Sequence, residues 1–192
     1  MHGGLAILPG GEAIALEQRH WDTPTVIRMA GCEQATLLQW RRKYGFLGGA
    51  EPGRGRVGYR HSVVDICLIC TAVAMIQHGI DPVHACSDDP FLRLQMEGLI
   101  AGELRDHILG FHRGSERRAC HVSYYFLGAD QTLGEVINTP DGIITLLDLR
   151  KIIDRVLKAL HVRVVLKGTA GQQSNVGGNH ETRPRQDRAA RR

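Results

Sequence analysis

Aromatic residues make up only 5% of this 192-residue chain, and no apolar run approaches the roughly 20 residues that a membrane-spanning helix needs. A membrane partner is therefore not expected. The apolar patch Leu5–Pro9 is short, lacks a basic flank and runs into Glu12 and Glu17, so the opening does not read as a secretory signal. The cysteines are few and odd in number, Cys32, Cys67, Cys70, Cys86 and Cys120, which argues against a disulfide framework and for reduced thiols in a cytoplasm. The chain also lacks the Gly-x-Ser-x-Gly and His-Glu-x-x-His strings that accompany a serine nucleophile or a zinc hydrolase.

A 43% hydrophobic and 23% charged composition is that of a globular protein, with enough length for a small domain and an appendage that buries its own core. The net charge of +4 is modest, and its distribution is more informative. From Arg19 to Arg60 the cations Arg19, Arg28, Arg41, Arg42, Lys43, Arg54, Arg56 and Arg60 face only Asp22, Glu33 and Glu51. Between Asp81 and Gly110 the sign reverses, with six acids, Asp81, Asp88, Asp89, Glu97, Glu103 and Asp106, against Arg93 and Arg105. A basic first half beside an acidic middle suggests that one face meets a polyanion and another does not.

Residues 1–21, glycine-rich and without strong periodicity, read as a loosely ordered arm. Thr23 as cap and Pro24 at the first position predict a short helix carrying Val26, Ile27 and Ala30, stopped by Gly31. A second helix runs from Gln34 to Tyr44-Gly45, and two brief helices joined by a glycine-containing turn make a helix-turn-helix pattern. Phe46-Leu47 on one side and Val57 and Tyr59 on the other predict two short strands of a hairpin whose tip carries Arg54 and Arg56 among glycines. Ser62 should cap an all-round apolar helix over Val63–His78, with Asp65 in its first turn. Asp81 and Pro82 open another short helix.

Farther on, the apolar spacing from Phe91 to Ile108 fits a helix interrupted near Gly98 or Gly102. Strands are expected at His121–Leu127 and Ile143–Leu147, a further one at Leu133–Ile137, a turn at Thr139–Gly142, and an amphipathic helix at Asp148–Leu160. Val162–Leu166 closes the ordered part. Residues 168–192, rich in Gly, Gln, Asn and Arg, read as a disordered basic tail. The expected layout is thus an arm at 1–21, a DNA-binding domain at 22–86, a dimerisation or effector domain at 88–167, and the tail.

The stretch from Thr25 to His84 reads as one device. Gln39, Arg41, Arg42 and Lys43 supply a basic, hydrogen-bonding flank for a helix entering the major groove, while Arg54, Arg56 and Arg60 are placed to meet the phosphate backbone beside it. Val26-Ile-Arg-Met-Ala-Gly-Cys, Thr36-Leu-Leu-Gln-Trp-Arg-Arg-Lys-Tyr-Gly-Phe-Leu and Gly58-Tyr-Arg-His-Ser-Val-Val-Asp-Ile together resemble residues of the MerR family of winged-helix transcriptional regulators, over residues 23–86. The resemblance implies a mainly α winged helix-turn-helix domain followed by a small α/β or α+β domain. It also implies a homodimer on double-stranded promoter DNA, in reach of RNA polymerase, with Thr36, Arg41, Arg42, Tyr59 and Arg60 at DNA-contacting positions. Where the family carries arginine after Thr-Leu, this chain has Leu38. The segment Phe91–Leu109 would be the family's dimer helix, although Gly98, Gly102 and Gly110 suit it poorly to a long coiled coil; the carboxyl-terminal α/β segment is the alternative.

Other readings are weaker. Cys67 and Cys70, three apart on a helix, with His61, His84 and Cys86 elsewhere in the unit, have a spacing that could bring thiolates to a metal. Buried cysteine is more often a small hydrophobe, and no metal or cofactor is expected. Asp88-Asp89 and Glu97 with Glu103 lack the polar framework of an acid–base pair, so an enzyme is not expected. A DNA-bending accessory factor without an effector, or a protein-interaction module on a repurposed winged helix, remain as alternatives to the regulator. Trp40, next to Leu37, is assigned to the core rather than to base recognition.

Overall fold

The computed structural model describes residues 4–48, 58–87, 89–113, 122–127 and 144–166. It is a mixed α/β arrangement with α3, Val63–Gln77, at its centre. This helix is apolar on almost every side because it is covered on almost every side: α1 (Thr23–Ala30), α4 (Pro82–Ala85), α5 (Pro90–Ala101) and α6 (Leu149–Leu160) all pack against it. Ser62 caps it by accepting from the Asp65 amide at 3.0 Å, and the Asp65 carboxylate accepts from the Ser62 amide at 3.0 Å. The helix start is thereby fixed by reciprocal bonds to two otherwise orphaned N–H groups.

The other helices obey local rules in the same way. Asp81, Asp89 and Asp148 cap α4, α5 and α6, and Pro82 and Pro90 occupy first-turn positions where the missing N–H costs nothing. The amphipathic α6 buries Leu149, Ile152, Ile153, Val156 and Leu160, as its spacing predicts. At α1 the cap is Asp22, which accepts from Thr25 N at 3.0 Å, and not Thr23, whose hydroxyl is turned into the core. The carboxylate is as good a cap and leaves the smaller hydroxyl free for a buried partner.

The amino-terminal segment is not a loose arm among residues 4–16. β1 (Gly4–Ile7) and β2 (Ala13–Ala15) form an antiparallel hairpin, and β1 pairs on its other edge with β8 (Arg163–Leu166), giving the order β2-β1-β8. Ala6, Leu8, Ile14 and Leu16 are buried, a period-two pattern too short and too interrupted by glycine to stand out in sequence. Gly4 is needed there: a Cβ would sit 2.9 Å from Leu16 Cδ1 and 3.3 Å from Ala101 Cβ. A second sheet, β6-β5-β7, joins β5 (Ile108–Arg113) antiparallel to both β6 (Val122–Leu127) and β7 (Ile144–Asp148).

No packing boundary falls near residue 87. One cluster of buried side chains runs from Val26 and Leu37 through Ile66 and Met75 to Leu109, Phe111 and Val156, so the segments expected as two domains share a core. Nor is there a long helix at Phe91–Leu109. α5 ends at Ala101 because Gly102 adopts the left-handed conformation, φ 76°, and Ile108 and Leu109 begin β5. Leu104 then folds back onto Gly98, where a Cβ would lie 2.6 Å from Leu104 Cδ1.

Phe46 and Leu47 do not form a strand either. They turn back after Gly45 and bury themselves, with Leu47 itself left-handed at φ 65°, a backbone conformation that a strand cannot contain. The strand of this region is β4, Arg60–His61, and its partner is β3, Trp21–Asp22. Val57 and the hairpin tip, the strand expected at Leu133–Ile137, the turn at Thr139–Gly142 and the tail at 168–192 lie outside the described residues.

Trp40 is buried and meets Phe46 edge-to-face, ring centroids 6.0 Å apart, as expected of a core residue. Trp40→Ala should cost about 3–5 kcal/mol of stability, read from the midpoint of urea unfolding. A loss under ~1 kcal/mol would mean that the indole is dispensable to the packing of its helix, α2 (Gln34–Tyr44).

Candidate nucleic-acid interface

Helix α2, Gln34–Tyr44, has two distinct sides. Leu37 and Trp40 are buried, whereas Gln34, Ala35, Gln39, Arg42 and Lys43 are exposed and Thr36 and Leu38 are half-buried. Gln39, Arg42 and Lys43, at spacings of three and four, therefore share one outward flank. Three cations in the last turn, Arg41, Arg42 and Lys43, also suit the negative end of the helix dipole. The turn between α1 and α2 is made by Gly31, left-handed at φ 70°, whose amide closes on Ile27 O at 2.9 Å.

Beside this flank lies an open cleft of about 710 Å³, bounded by Asp22, Thr23 and Pro24 at the start of α1, by Gln34, Leu38 and Arg42 of α2, and by Gly58, Tyr59 and Arg60. Arg60 is exposed and donates to the His20 carbonyl at 2.7 Å, which holds the base of the segment preceding β4. Arg54 and Arg56 lie outside the described residues.

Arg41 and Tyr59 are placed differently from the other expected contacts. The Arg41 guanidinium is half-buried and stacks over the Tyr59 ring at 4.3 Å, a cation–π arrangement. Its Nη2 also reaches His61 Nδ1 at 3.3 Å. Arginine can only donate, so Nδ1 accepts and the neutral ring carries its proton on Nε2. Nε2–H then donates to Thr23 Oγ1 at 3.2 Å, and the Thr23 hydroxyl donates to the Tyr59 carbonyl at 3.2 Å. The relay Arg41–His61–Thr23–Tyr59 joins α2, β4 and α1 through a histidine that is completely buried. Among the described residues, Arg41 Nε and Nη1 are buried without a hydrogen-bond partner.

Next to the relay, the buried Asp65 carboxylate accepts from Arg93 Nη2 at 2.8 Å, and Arg93 Nη1 lies 3.0 Å from Glu17. This chain of charges ties the end of the β1–β2 hairpin to α5 and to the cap of α3. Burial and a hydrogen bond with Glu97 raise Glu17 to about 7, against the opposing pull of Arg93.

Cys67 and Cys70 sit inside α3, both buried. Burial raises both thiols, Cys67 strongly, and raises Cys86 to about 12; none is poised as a thiolate. Among the described residues no group of three His, Cys, Asp or Glu side chains converges as a metal-holding set. No helix among them is long and apolar enough to cross a membrane.

Two features were not foreseen. The first is the relay, whose hydrogen-bonded pairs are 20 to 38 residues apart and leave no local signature. The second is the string Gly53-Arg54-Gly55-Arg56-Val57-Gly58, which has the glycine spacing of a dinucleotide-binding loop. That spacing carries its meaning only between a strand and a helix, and here the flanking elements are α2 and the strand β4. No protein-family model matches the chain, and no curated protein matches it.

Burial, and next the adjacent Arg41, lower His61 from 6.5 to about 4. Protonating Nδ1 would remove the acceptor facing Arg41 and set two cations together. A depressed base contributes stability above its unfolded value, lost as pH falls through the folded one. His61 should therefore remove roughly 3 kcal/mol of stability between pH 6.5 and 4. His61→Gln should flatten that part of the stability–pH curve, measured by urea titration at each pH; an unchanged slope in a folded variant counts against the buried neutral tautomer.

Proposed function

We propose that this protein is a sequence-specific, double-stranded DNA-binding transcriptional regulator of the MerR kind, with α2 as the reading helix and Arg54 and Arg56 as phosphate contacts. One observation carries the reading. The exposed flank of α2, Gln39, Arg42 and Lys43, adjoins a cleft whose far wall ends in Arg60, so hydrogen-bonding and cationic groups are gathered on one open surface. Lys43 and Arg42 suit phosphates or guanine edges, and Gln39 suits an adenine edge. Thr36 stands nearer the backbone contact zone. Arg41 and Tyr59 act as positioning residues, since the guanidinium is engaged with the ring and with His61, and Arg60 anchors the wing base.

In this reading the protein works without a cofactor in the cytoplasm as a homodimer on two half-sites and reaches RNA polymerase at a promoter. The half-buried Leu38 in the cleft favours a second reading, in which the same surface holds an apolar peptide side chain and the chain is a protein-interaction module.

Selection of bound sequences from a random DNA pool, followed by titration at several salt concentrations, separates the two. Arg42→Ala with Lys43→Ala should weaken binding and reduce the salt slope by roughly 0.9 per lost phosphate contact. Gln39→Ala should alter the preferred sequence more than the baseline affinity. Arg54→Ala with Arg56→Ala should weaken many sequences by a similar factor. If the pool yields no enriched sequence and the folded Arg42/Lys43 double variant keeps the parent affinity and slope, the DNA reading fails and the interaction module gains.

A further inference from the structure

A second cleft lies on another part of the surface, where the last turn of α1, the middle of α3 and the first turns of α6 meet. Its volume is about 620 Å³, within the range of small-molecule sites, roughly 300–1,000 Å³. The floor is apolar and well packed: Cys70 and Val73 come from α3, Leu147 from the end of β7 and Ile152 from α6, and all four are buried. The rim is cationic, with Arg28 of α1 on one wall and Arg155 of α6 on the other.

The one carboxylate in the cleft is already occupied. Asp148 caps α6 by accepting from the Lys151 amide at 3.2 Å and lies 3.7 Å from Lys151 Nζ. Among the described residues, neither Arg28 nor Arg155 has a carboxylate within ion-pair distance. Among the described residues, two guanidinium groups thus border the hollow without an internal counter-ion. Its rim is open to a negative group, and an apolar body would cover what remains exposed of the floor.

We propose that this cleft binds a small organic carboxylate with an apolar body, the carboxylate held between Arg28 and Arg155 and the body resting on Cys70, Val73, Leu147 and Ile152. A bare inorganic anion would leave the remaining apolar surface of the cleft uncovered, and a neutral hydrocarbon would leave the rim charges without a counter-ion. Only a molecule with both parts satisfies both surfaces. Arg155 already opposes the burial that raises the Cys70 thiol, so its charge is felt at the floor as well as at the rim. The thiol itself takes no part in chemistry; it serves as a small apolar contact.

Octanoate is the probe, with octan-1-ol and acetate as its two halves. Titrated into the full-length, isotopically labelled protein below the micellar range, octanoate should give saturable amide shifts concentrated at Gly31, Val73, Ala74 and Leu147. The alcohol and acetate should each bind at least about tenfold more weakly, the equivalent of one charge-assisted bond. Arg28→Gln with Arg155→Gln, both exposed positions, should lose about tenfold in octanoate affinity while folding normally. Ala74→Leu should block the hollow with the rim intact. Octan-1-ol binding as tightly as octanoate, acetate matching it, shifts that never saturate or lie elsewhere, or full affinity in the arginine double variant would each overturn the site. None of these readouts involves nucleic acid, so the result is independent of whether the α2 surface binds DNA.

Discussion

The hydrogen-bond relay through His61 is the constraint on which the arrangement of the α2 surface depends. A completely buried imidazole must either find two partners or leave a polar atom stranded at a cost of a few kcal/mol. Here the ring accepts from Arg41 and donates to Thr23, which in turn closes on the Tyr59 carbonyl. Two of these bonds tie α2 and α1 to β4 and the third ties α1 to Tyr59 just before it, so α1, α2 and the segment before β4 are held in one mutual orientation. The stack of Arg41 on Tyr59 adds a second hold on the same residues. The orientation of Gln39, Arg42 and Lys43 toward solvent follows from this, because Arg41 turned inward and Leu37 and Trp40 buried leave the opposite flank outside.

Around that relay the protein is organised by α3. A helix buried over most of its surface needs cover from several directions, and it receives it from residues both before and after it in the chain. The cap of this helix is also the point where Arg93 reaches in to Asp65 and out to Glu17. A buried carboxylate of this kind is tolerable because it accepts from both a guanidinium and a backbone amide. The pairing of β1 with β8 then brings the amino-terminal hairpin against the end of the described chain. Consequently residues 22–86, expected as a separate domain, are not packed as a detachable unit; their core continues into the α6 and β5 residues.

Both clefts combine apolar surface with cationic side chains: Leu38 with Arg42 and Arg60 beside α2, and Val73, Leu147 and Ile152 with Arg28 and Arg155 between α1, α3 and α6. Helix α1 takes part in both, its first turn lining one and its last turn the other.

By itself the sequence determined the features that depend on near neighbours. The ends of α2, the Ser62–Asp65 cap, the Asp81–Pro82 start of α4, the apolar stripe of α6 and the burial of Trp40 all follow from residues within a turn or two of one another, where dihedral preference and capping act. The exposed flank of α2 was legible for the same reason. Only the tertiary structure decided which strand Gly4–Ile7 would join, that Phe46 and Leu47 would fold inward instead of extending, and that Arg41 would serve His61 and Tyr59 instead of the surface. The strand pairing and the contacts of Arg41 depend on partners 18 to 162 residues away, whose contacts form only when the whole core is assembled. No local spacing encodes them, because the free energy that selects them lies in satisfying buried groups that meet for the first time in the folded chain.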